Sequence, residues 1–312
     1  MAAGEAGRGT LALPEPERPA GAAAGGEAAA ARGSWRLMLA TFAENRLALT
    51  GVGLVVLVAA FCFIGPLIYR TNQVTVNLNL SNHPPSGKYP LGTNNDGFDV
   101  LGRLMIAGQS SLELGFAVSI ATSVVGTLYG AVAGLAGGIA DAVMMRVVDT
   151  FLALPTLVLL LILVNMFTPN LWVIILLITA LSWLQVARLV RGEVLTLRTR
   201  DYVQAVRMMG GSNWRIVTRH LIPNSVGVVI VNATFTIADS ILYLSALSFL
   251  GLGLAPPSVD WGGMLTNGLS FLFDGYWWLV YPPAIILIIT VVAFNLIGDA
   301  IRDSLDVRLQ RR

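Results

Sequence analysis

Six apolar runs, each long enough to cross a bilayer, constrain this chain more than any other feature. A transmembrane α-helix needs about 20 mainly apolar residues to cross a hydrocarbon core of about 30 Å. The chain is 55% hydrophobic and 12% charged, with a mean hydropathy of +0.71, which is more apolar than a soluble domain. We therefore predict an all-α polytopic membrane protein with six transmembrane helices. The predicted spans are approximately Leu47–Tyr69, Ser110–Gly138, Val147–Phe167, Leu171–Val190, Ser225–Leu250 and Leu279–Ala300.

The arginines predict the orientation of these spans. Of the 20 Lys and Arg residues, all except Arg70, Lys88 and Arg103 share one side of the membrane when the amino terminus is placed there. Because Lys and Arg are enriched in cytoplasmic segments, both termini are predicted to be cytoplasmic. The external loops are then residues 70–109 and 252–278, and residues 191–224 form the long cytoplasmic loop. The 252–278 loop is rich in aromatic residues, as expected of a belt at the outer interface.

The amino-terminal residues differ from the rest in composition. Residues 1–34 are mainly Ala, Gly, Pro and Glu, a composition that cannot bury a core and predicts a disordered cytoplasmic tail. Residues 35–46 read as an amphipathic helix at the membrane surface. Residues 47–312 are predicted to form one six-helix transmembrane domain.

The segment Asp201–Asn224 carries clear signals for two short helices joined by a glycine turn. Asp201 and Gln204 are spaced as a capping box, Gly210 and Gly211 can supply a left-handed stop, and Ser212 can cap a second helix. Pro223 is expected to end that helix. The small or adaptable apolar residues of the segment are suited to fill a groove of another protein; they are Val203, Ala205, Val206, Met208 and Met209.

Glycines recur every four residues in the second predicted span, at Gly126, Gly130, Gly134 and Gly138. Small residues at this period let helix backbones approach closely. We interpret them as a packing surface, within the bundle or across a dimer seam, with a substrate path as the alternative.

Charges at membrane depth are costly and often functional. Asp239, near the middle of the fifth span, and Glu113, in the second, are candidates for a polar pathway, with a buried, hydrogen-bonded carboxylate as the alternative for Asp239. Asp141, Arg146 and Asp149 lie at the inner ends of spans two and three and are expected to form interfacial ion pairs.

Several chemistries are excluded by the residues present. A Walker A loop requires a Gly-Lys-Ser/Thr sequence after an upstream glycine, and the only lysine, Lys88, is followed by Tyr89. The single cysteine, Cys62, and the two histidines, His83 and His220, form no metal or catalytic motif. We expect no enzyme activity, no catalytic residue, no metal and no cofactor in this chain.

The Asp201–Asn224 segment resembles the cytoplasmic coupling loop of the membrane subunits of bacterial ABC importers. The family signature is Glu-Ala-Ala, three residues, Gly, nine residues, Ile, one residue, Leu-Pro. Here Gln204-Ala205-Val206 takes the place of Glu-Ala-Ala, followed by Gly210, His220, Ile222 and Pro223 at the matching spacings. The resemblance implies that these residues, together with Met209 and Gly211, contact an ATPase.

Three further stretches resemble the dipeptide, oligopeptide and nickel branch of that family. They are Tyr89–Leu101, with YPLGT and GFDVL, Leu247–Gly262, with LSFLGLG, PP and WG, and Phe294–Leu309, with FNLIGD and RD. Their order is similar to that of the second permease subunit type. Phe98 replaces the usual arginine, and Leu244 lies where this branch often has a glutamate, so no role is carried over to either residue.

The resemblance implies an ABC type I importer permease fold and a set of partners. These are a second, homologous permease subunit in a heterodimer, two ATPase subunits that use ATP and Mg, an extracellular solute-binding protein and the lipid bilayer, without nucleic acid. It implies transport of di- or oligopeptides by alternating access, with nickel chelates, heme or glutathione as alternative cargo. A channel or a membrane-embedded enzyme is the alternative class, and copurifying ATPases would exclude both.

Overall fold

A computed structural model describes residues 42–310, and within this range the chain forms helices, turns and loops without a β-strand. The predicted tail, 1–34, and residues 35–41 of the predicted interfacial helix lie outside the described residues. The helices are α1 (Arg46–Phe63), α2 (Gly65–Ile68), α3 (Val100–Ala136), α4 (Gly138–Leu152), α5 (Thr156–Val164), α6 (Leu171–Leu197), α7 (Asp201–Met208), α8 (Asn213–Ile216), α9 (Ile222–Phe249), α10 (Trp261–Leu269) and α11 (Tyr281–Gln310).

The helical stretches within residues 42–310 confirm the predicted all-α membrane architecture. Five of them are long and apolar enough to cross a membrane: Arg46–Ile68, Val100–Ala136, Leu171–Leu197, Trp214–Phe249 and Trp277–Leu305. A sixth span is present if the bent pair α4 and α5 is taken as one. α3 begins earlier than predicted, inside the predicted external loop 70–109, because Asp99 caps it by accepting the N–H of Leu101.

The prediction of one continuous third span, Val147–Phe167, is wrong. α4 and α5 meet at an angle of 80°, at a break of three residues that ends with Pro155. Proline lacks the backbone N–H that an intact helix needs, and it disfavours a helical conformation for the residue before it. α5, with 9 residues, is about 14 Å long at 1.5 Å per residue, which is less than half of the hydrocarbon core.

Close contact between α3 and α6 lies at the centre of the bundle. A Cβ added at Gly126 would lie 2.5 Å from the Cβ of Val186, and one at Gly134 would lie 2.7 Å from the Cγ1 of Val194. A Cβ at Gly130 would overlap the carbonyl oxygen of Ala187. Gly138 does not continue this row: it starts α4 with a φ of +55°, and a Cβ there would meet nothing within 4 Å. The predicted packing surface therefore stops at Gly134.

Two ion pairs join α4 to α6. The Nε and Nη2 atoms of Arg191 donate to the two carboxylate oxygens of Asp141 at 2.9 and 2.6 Å, and Arg188 pairs with Asp149. Arg146 forms no ion pair within residues 42–310. The expected pairs of Asp141 and Asp149 thus exist, but their partners come from α6.

The segment 252–278 is a packed cap, and the interpretation of its aromatic residues as an interfacial belt is wrong for two of the three tryptophans. Trp261 is fully buried and its indole N–H donates to the carbonyl of Leu104 at 3.0 Å, while Trp278 donates to the carbonyl of Thr93 at 3.2 Å. Asp260 caps α10 through the N–H of Gly263 and accepts from Ser248. Burial raises the pKa of the Asp260 carboxyl. Trp277 remains exposed.

We expect Gly130→Ala to destabilise the bundle, because the added methyl group must displace the backbone of α6. Overpacking of this kind costs about 1–3 kcal/mol. Gly192→Ala is the matched control, since a Cβ at this α6 position would meet nothing within 4 Å. Thermal unfolding of the detergent-solubilised protein measures both, and equal melting temperatures for Gly130→Ala and Gly192→Ala would contradict the close helix contact.

Candidate functional site: a helix–glycine–helix projection

α7 forms the first half of the Asp201–Asn224 segment. It begins at Asp201, its N-cap residue is Arg200, and no side chain caps its first turn. The predicted capping box of Asp201 and Gln204 is therefore wrong, because Asp201 already lies inside the helix. There its carboxylate still complements the positive end of the helix dipole. Gln204 is exposed.

The glycine turn after α7 has the predicted left-handed conformation, with a φ of +78° at Gly210. The N–H of Gly211 donates to the carbonyl of Val206 at 2.9 Å, and the N–H of Gly210 donates to the carbonyl of Arg207 at 3.1 Å. These two bonds form a Schellman motif, which satisfies the last carbonyls of a helix. A Cβ at Gly211 would lie 2.6 Å from the Cγ1 of Val206. The turn is therefore specified by hydrogen bonds and by the absence of two side chains.

The second helix begins as predicted but does not end at Pro223. The hydroxyl of Ser212 accepts the N–H of Arg215 at 3.3 Å. A π-helical turn, Val217–Leu221, then leads directly into α9, and the helical stretch continues from Trp214 to Phe249. Proline is tolerated in the first turn of a helix, and a π-turn re-satisfies backbone groups that a proline frees. The side-chain amide of Asn224 donates to the carbonyl of His220 at 2.6 Å.

The inner face of the projection is buried against α3 and α6. Val203 and Leu221 contribute to one hydrophobic cluster, and Val206 packs against it. The other members are Ala131, Val186, Val190, Val194, Ile216 and Val217. The prediction that Val203 fills a groove of another protein is therefore wrong, because its side chain is buried where α7 attaches to the bundle. Val206 is half-buried, and its contact with another protein stays a prediction. In addition, Nη1 of Arg198 donates to the carbonyl of Gly134 at 2.9 Å.

The outer face leaves large apolar side chains in the open around the glycine turn. Met208 is 87% exposed, Met209 is 79% exposed and Trp214 is 68% exposed. Ala205 is also exposed, and a Cβ at Gly210 would meet nothing within 4 Å. Exposed apolar groups of this size, next to exposed arginines, are typical of a protein-binding surface. The sequence analysis missed Trp214, although a tryptophan in an otherwise polar segment is a usable signal.

The remaining signature residues lie at the base of the projection. His220 and Ile222 are half-buried and Pro223 is exposed. The ring centroids of His220 and Tyr202 are 6.3 Å apart. These residues connect the projection to α9. Within residues 42–310, no group of three or more His, Cys, Asp and Glu side chains could hold a metal ion.

The two candidate pathway carboxylates are both exposed, Glu113 on α3 and Asp239 on α9. Neither forms an ion pair with another residue of the described range 42–310. The two departures from the family pattern are buried: Leu244 is fully buried, and the ring of Phe98 lies 4.5 Å from the guanidinium carbon of Arg103.

Comparisons with known proteins identify the family of the chain. The family described as "binding-protein-dependent transport system inner membrane component" matches residues 126–311, and the "N-terminal TM domain of oligopeptide transport permease C" matches residues 33–85.

Individual relatives cover most of the chain. It is 34% identical over 268 residues to the dipeptide transport system permease protein DppC of Bacillus subtilis, covering 86% of this chain and 84% of the relative. It is 38% identical over 278 residues to the oligopeptide transport system permease protein OppC of Escherichia coli K12, covering 88% and 91%. The chain belongs to the family of binding-protein-dependent transport system inner membrane components, the permease components of ABC importers.

Proposed function

We propose that this chain is one of two permease subunits of an ATP-driven importer of di- and oligopeptides. The observation that carries the proposal is the exposed apolar face around Gly210, mounted on a helix that continues into the membrane. The two relatives described above are named for dipeptide and oligopeptide transport. Nickel chelates, heme and glutathione remain alternative cargo, because an extracellular binding protein would do most of the selecting.

The ATPase subunits supply the energy in this proposal, because the chain has no Walker A sequence. Met208, Met209 and Trp214 would enter a groove on an ATPase, and Ala205 would allow close approach. Methionine suits such a groove because its flexible, polarisable side chain adapts to irregular surfaces. Gln204 and Gly210 would lie at the same contact. Each of the two permeases would receive one ATPase.

The helical stretch Trp214–Phe249 is the proposed route for the conformational change. Its 36 residues have a length of about 54 Å at 1.5 Å per residue, enough to connect an ATPase contact with the far side of the bilayer. A displacement at Trp214 would tilt this helix together with α3 and α6, to which the inner face is attached. Closure of the ATPase pair would then open the cavity between the permeases outward, and hydrolysis would reverse the change.

The proposal requires the projection and both termini to be cytoplasmic, as the arginine distribution predicts. In a Cys62→Ser background, the thiol introduced by Ser212→Cys should react with a membrane-impermeant reagent only from the cytoplasmic side. Phe273→Cys, in the segment 252–278, provides the opposite control because Phe273 is 99% exposed. Labelling of Ser212→Cys in intact cells would contradict the orientation.

Substitutions at the glycine turn should uncouple ATP hydrolysis from uptake while leaving the six spans folded. Gly210→Val forces a β-branched residue into a left-handed conformation that costs L-residues about 1–2 kcal/mol, and it adds bulk where an ATPase would dock. Ala205→Arg places a charge in the same contact. Both variants should reach normal membrane levels, pair with the second permease, and lose peptide uptake per ATP hydrolysed in reconstituted vesicles.

Gly192→Ala is the control for the coupling measurement, because Gly192 lies in α6 and not in the projection, and a Cβ there would meet nothing within 4 Å. Wild-type coupling in both Gly210→Val and Ala205→Arg would mean that the segment is only a connector. The proposed function would then lose the observation that carries it.

A further inference from the structure

Four polar side chains follow one face of α9 through the membrane: Asn232, Thr236, Asp239 and Tyr243. Their spacing of four, three and four residues repeats the period of the α-helix, so they lie above one another. α9 is otherwise mainly apolar between Val226 and Phe249. We call these four residues the polar stripe.

The other faces of α9 are covered by this chain. Ile237 and Ile241 lie against α3, where a Cβ at Gly115 would be 3.0 Å from Ile237 Cγ2 and 3.2 Å from Ile241 Cγ1. Thr234 and Phe235 meet α11 at Gly298, and Leu244 belongs to a fully packed core. None of the four stripe residues is fully buried: Asp239 is exposed, and Asn232, Thr236 and Tyr243 are half-buried, Tyr243 by packing against the same core as Leu244.

Tyr243 is the stripe member held by the rest of the chain, through a hydrogen bond with the side chain of Thr156 on α5. The other three polar groups make few contacts outside α9. The hydroxyl of Thr236 donates to the carbonyl of Asn232 at 2.9 Å, within its own helix. Asp239 is exposed and has no hydrogen bond or ion pair with any residue of the described part of the chain. Its carboxylate is therefore available to a group outside this subunit.

The depth of Asp239 in the membrane limits what its unpaired carboxylate can face. Asp239 precedes the end of α9, Phe249, by ten residues, which is about 15 Å at 1.5 Å per residue. This is near the middle of a hydrocarbon core of about 30 Å. An acidic side chain facing lipid at the midplane costs at least about 2.5–3.5 kcal/mol. The carboxylate must therefore face water, cargo or a basic group of another subunit.

We infer that the polar stripe lines the peptide pathway and that the carboxylate of Asp239 pairs with the α-ammonium group at the amino terminus of the peptide. This inference rests on the proposed function. An α-ammonium group is present on every unblocked peptide, so one fixed carboxylate attracts peptides regardless of their side chains. The amide of Asn232 and the hydroxyl of Thr236 are suited to the peptide's backbone N–H and C=O groups. An ion pair that is exposed to water is weak enough to release the cargo.

Charge-selective labelling tests whether the stripe faces an aqueous path with a negative charge. Thr236→Cys, combined with Cys62→Ser and cysteine-free partner subunits, introduces a thiol one turn from Asp239 in the assembled importer. Two methanethiosulfonate reagents are compared, one with a trimethylammonium group and one with a sulfonate. The rate at which each reagent labels the introduced thiol is divided by the rate at which the same reagent labels a free thiol in solution. We expect at least a fivefold preference for the cation, which Asp239→Asn abolishes. Peptide should slow the reaction.

A buried position next to Asp239 serves as the control for this labelling. Ser240→Cys should stay unlabelled, because Ser240 is buried next to Asp239 but lies off the stripe. If the Thr236→Cys thiol reacts in no nucleotide state, the stripe does not line an aqueous path and the inference is overturned. Equal normalised rates of the two reagents would mean that a basic group of the second permease neutralises Asp239, which also overturns it.

Peptide uptake tests the cargo contact itself. In the reconstituted importer, Asp239→Asn should lower uptake of a free tripeptide at least tenfold at unchanged subunit assembly, and Asp239→Glu should restore most of it. Ser240→Ala should transport as wild type does. Wild-type uptake by Asp239→Asn would overturn this inference and leave the proposed function standing. An assembled wild-type importer that hydrolyses ATP but takes up no peptide would instead refute the proposed peptide cargo, and the labelling result would be unaffected.

Discussion

The proposed coupling depends on the buried apolar contact between the inner face of the projection and the helices α3 and α6. Ile216 and Leu221 are fully buried there, and Val203 and Val217 are nearly so. Full burial of an aliphatic side chain contributes about 1.5–3 kcal/mol relative to exposure. Without this contact, α7 and α8 would be a flexible loop, and a force applied to the outer face could not reach the membrane helices.

Because α8 is continuous with α9, a movement of the projection would be transmitted directly into a membrane-spanning helix. The π-turn at Val217–Leu221 carries the helix past Pro223 instead of ending it. The same helical stretch therefore carries Trp214, at the proposed docking face, and the polar stripe at mid-membrane depth. A movement imposed at Trp214 would change the surroundings of Asp239 farther along the same helix, which connects the proposed energy input to the proposed cargo contact.

The sequence was sufficient for the architecture and for the glycine turn, because both follow from strong local signals. Long apolar runs predict spans, and adjacent glycines after a short helix predict a left-handed stop, which Gly210 adopts. It was insufficient where tertiary contacts decide. Val203 and Met208 have similar polarity in the sequence, yet one is buried by α6 and the other is exposed, and only the orientation of α7 separates them. Pro155 and Pro223 show the same limitation. One breaks a span and the other continues it, because a neighbouring π-turn accommodates only the second.

Site-directed photo-crosslinking tests the central claim that the outer face of the projection contacts an ATPase. A photoreactive amino acid at Met208 or at Trp214, in the assembled importer, should form a covalent adduct with the ATPase subunit. The same amino acid at Phe273, which is also apolar and exposed, should form none. Adducts from Met208 and Trp214 that survive peptide addition and disappear when the ATPase is omitted would agree with the account. No ATPase adduct from either position, in a complex that contains the ATPase, would contradict it.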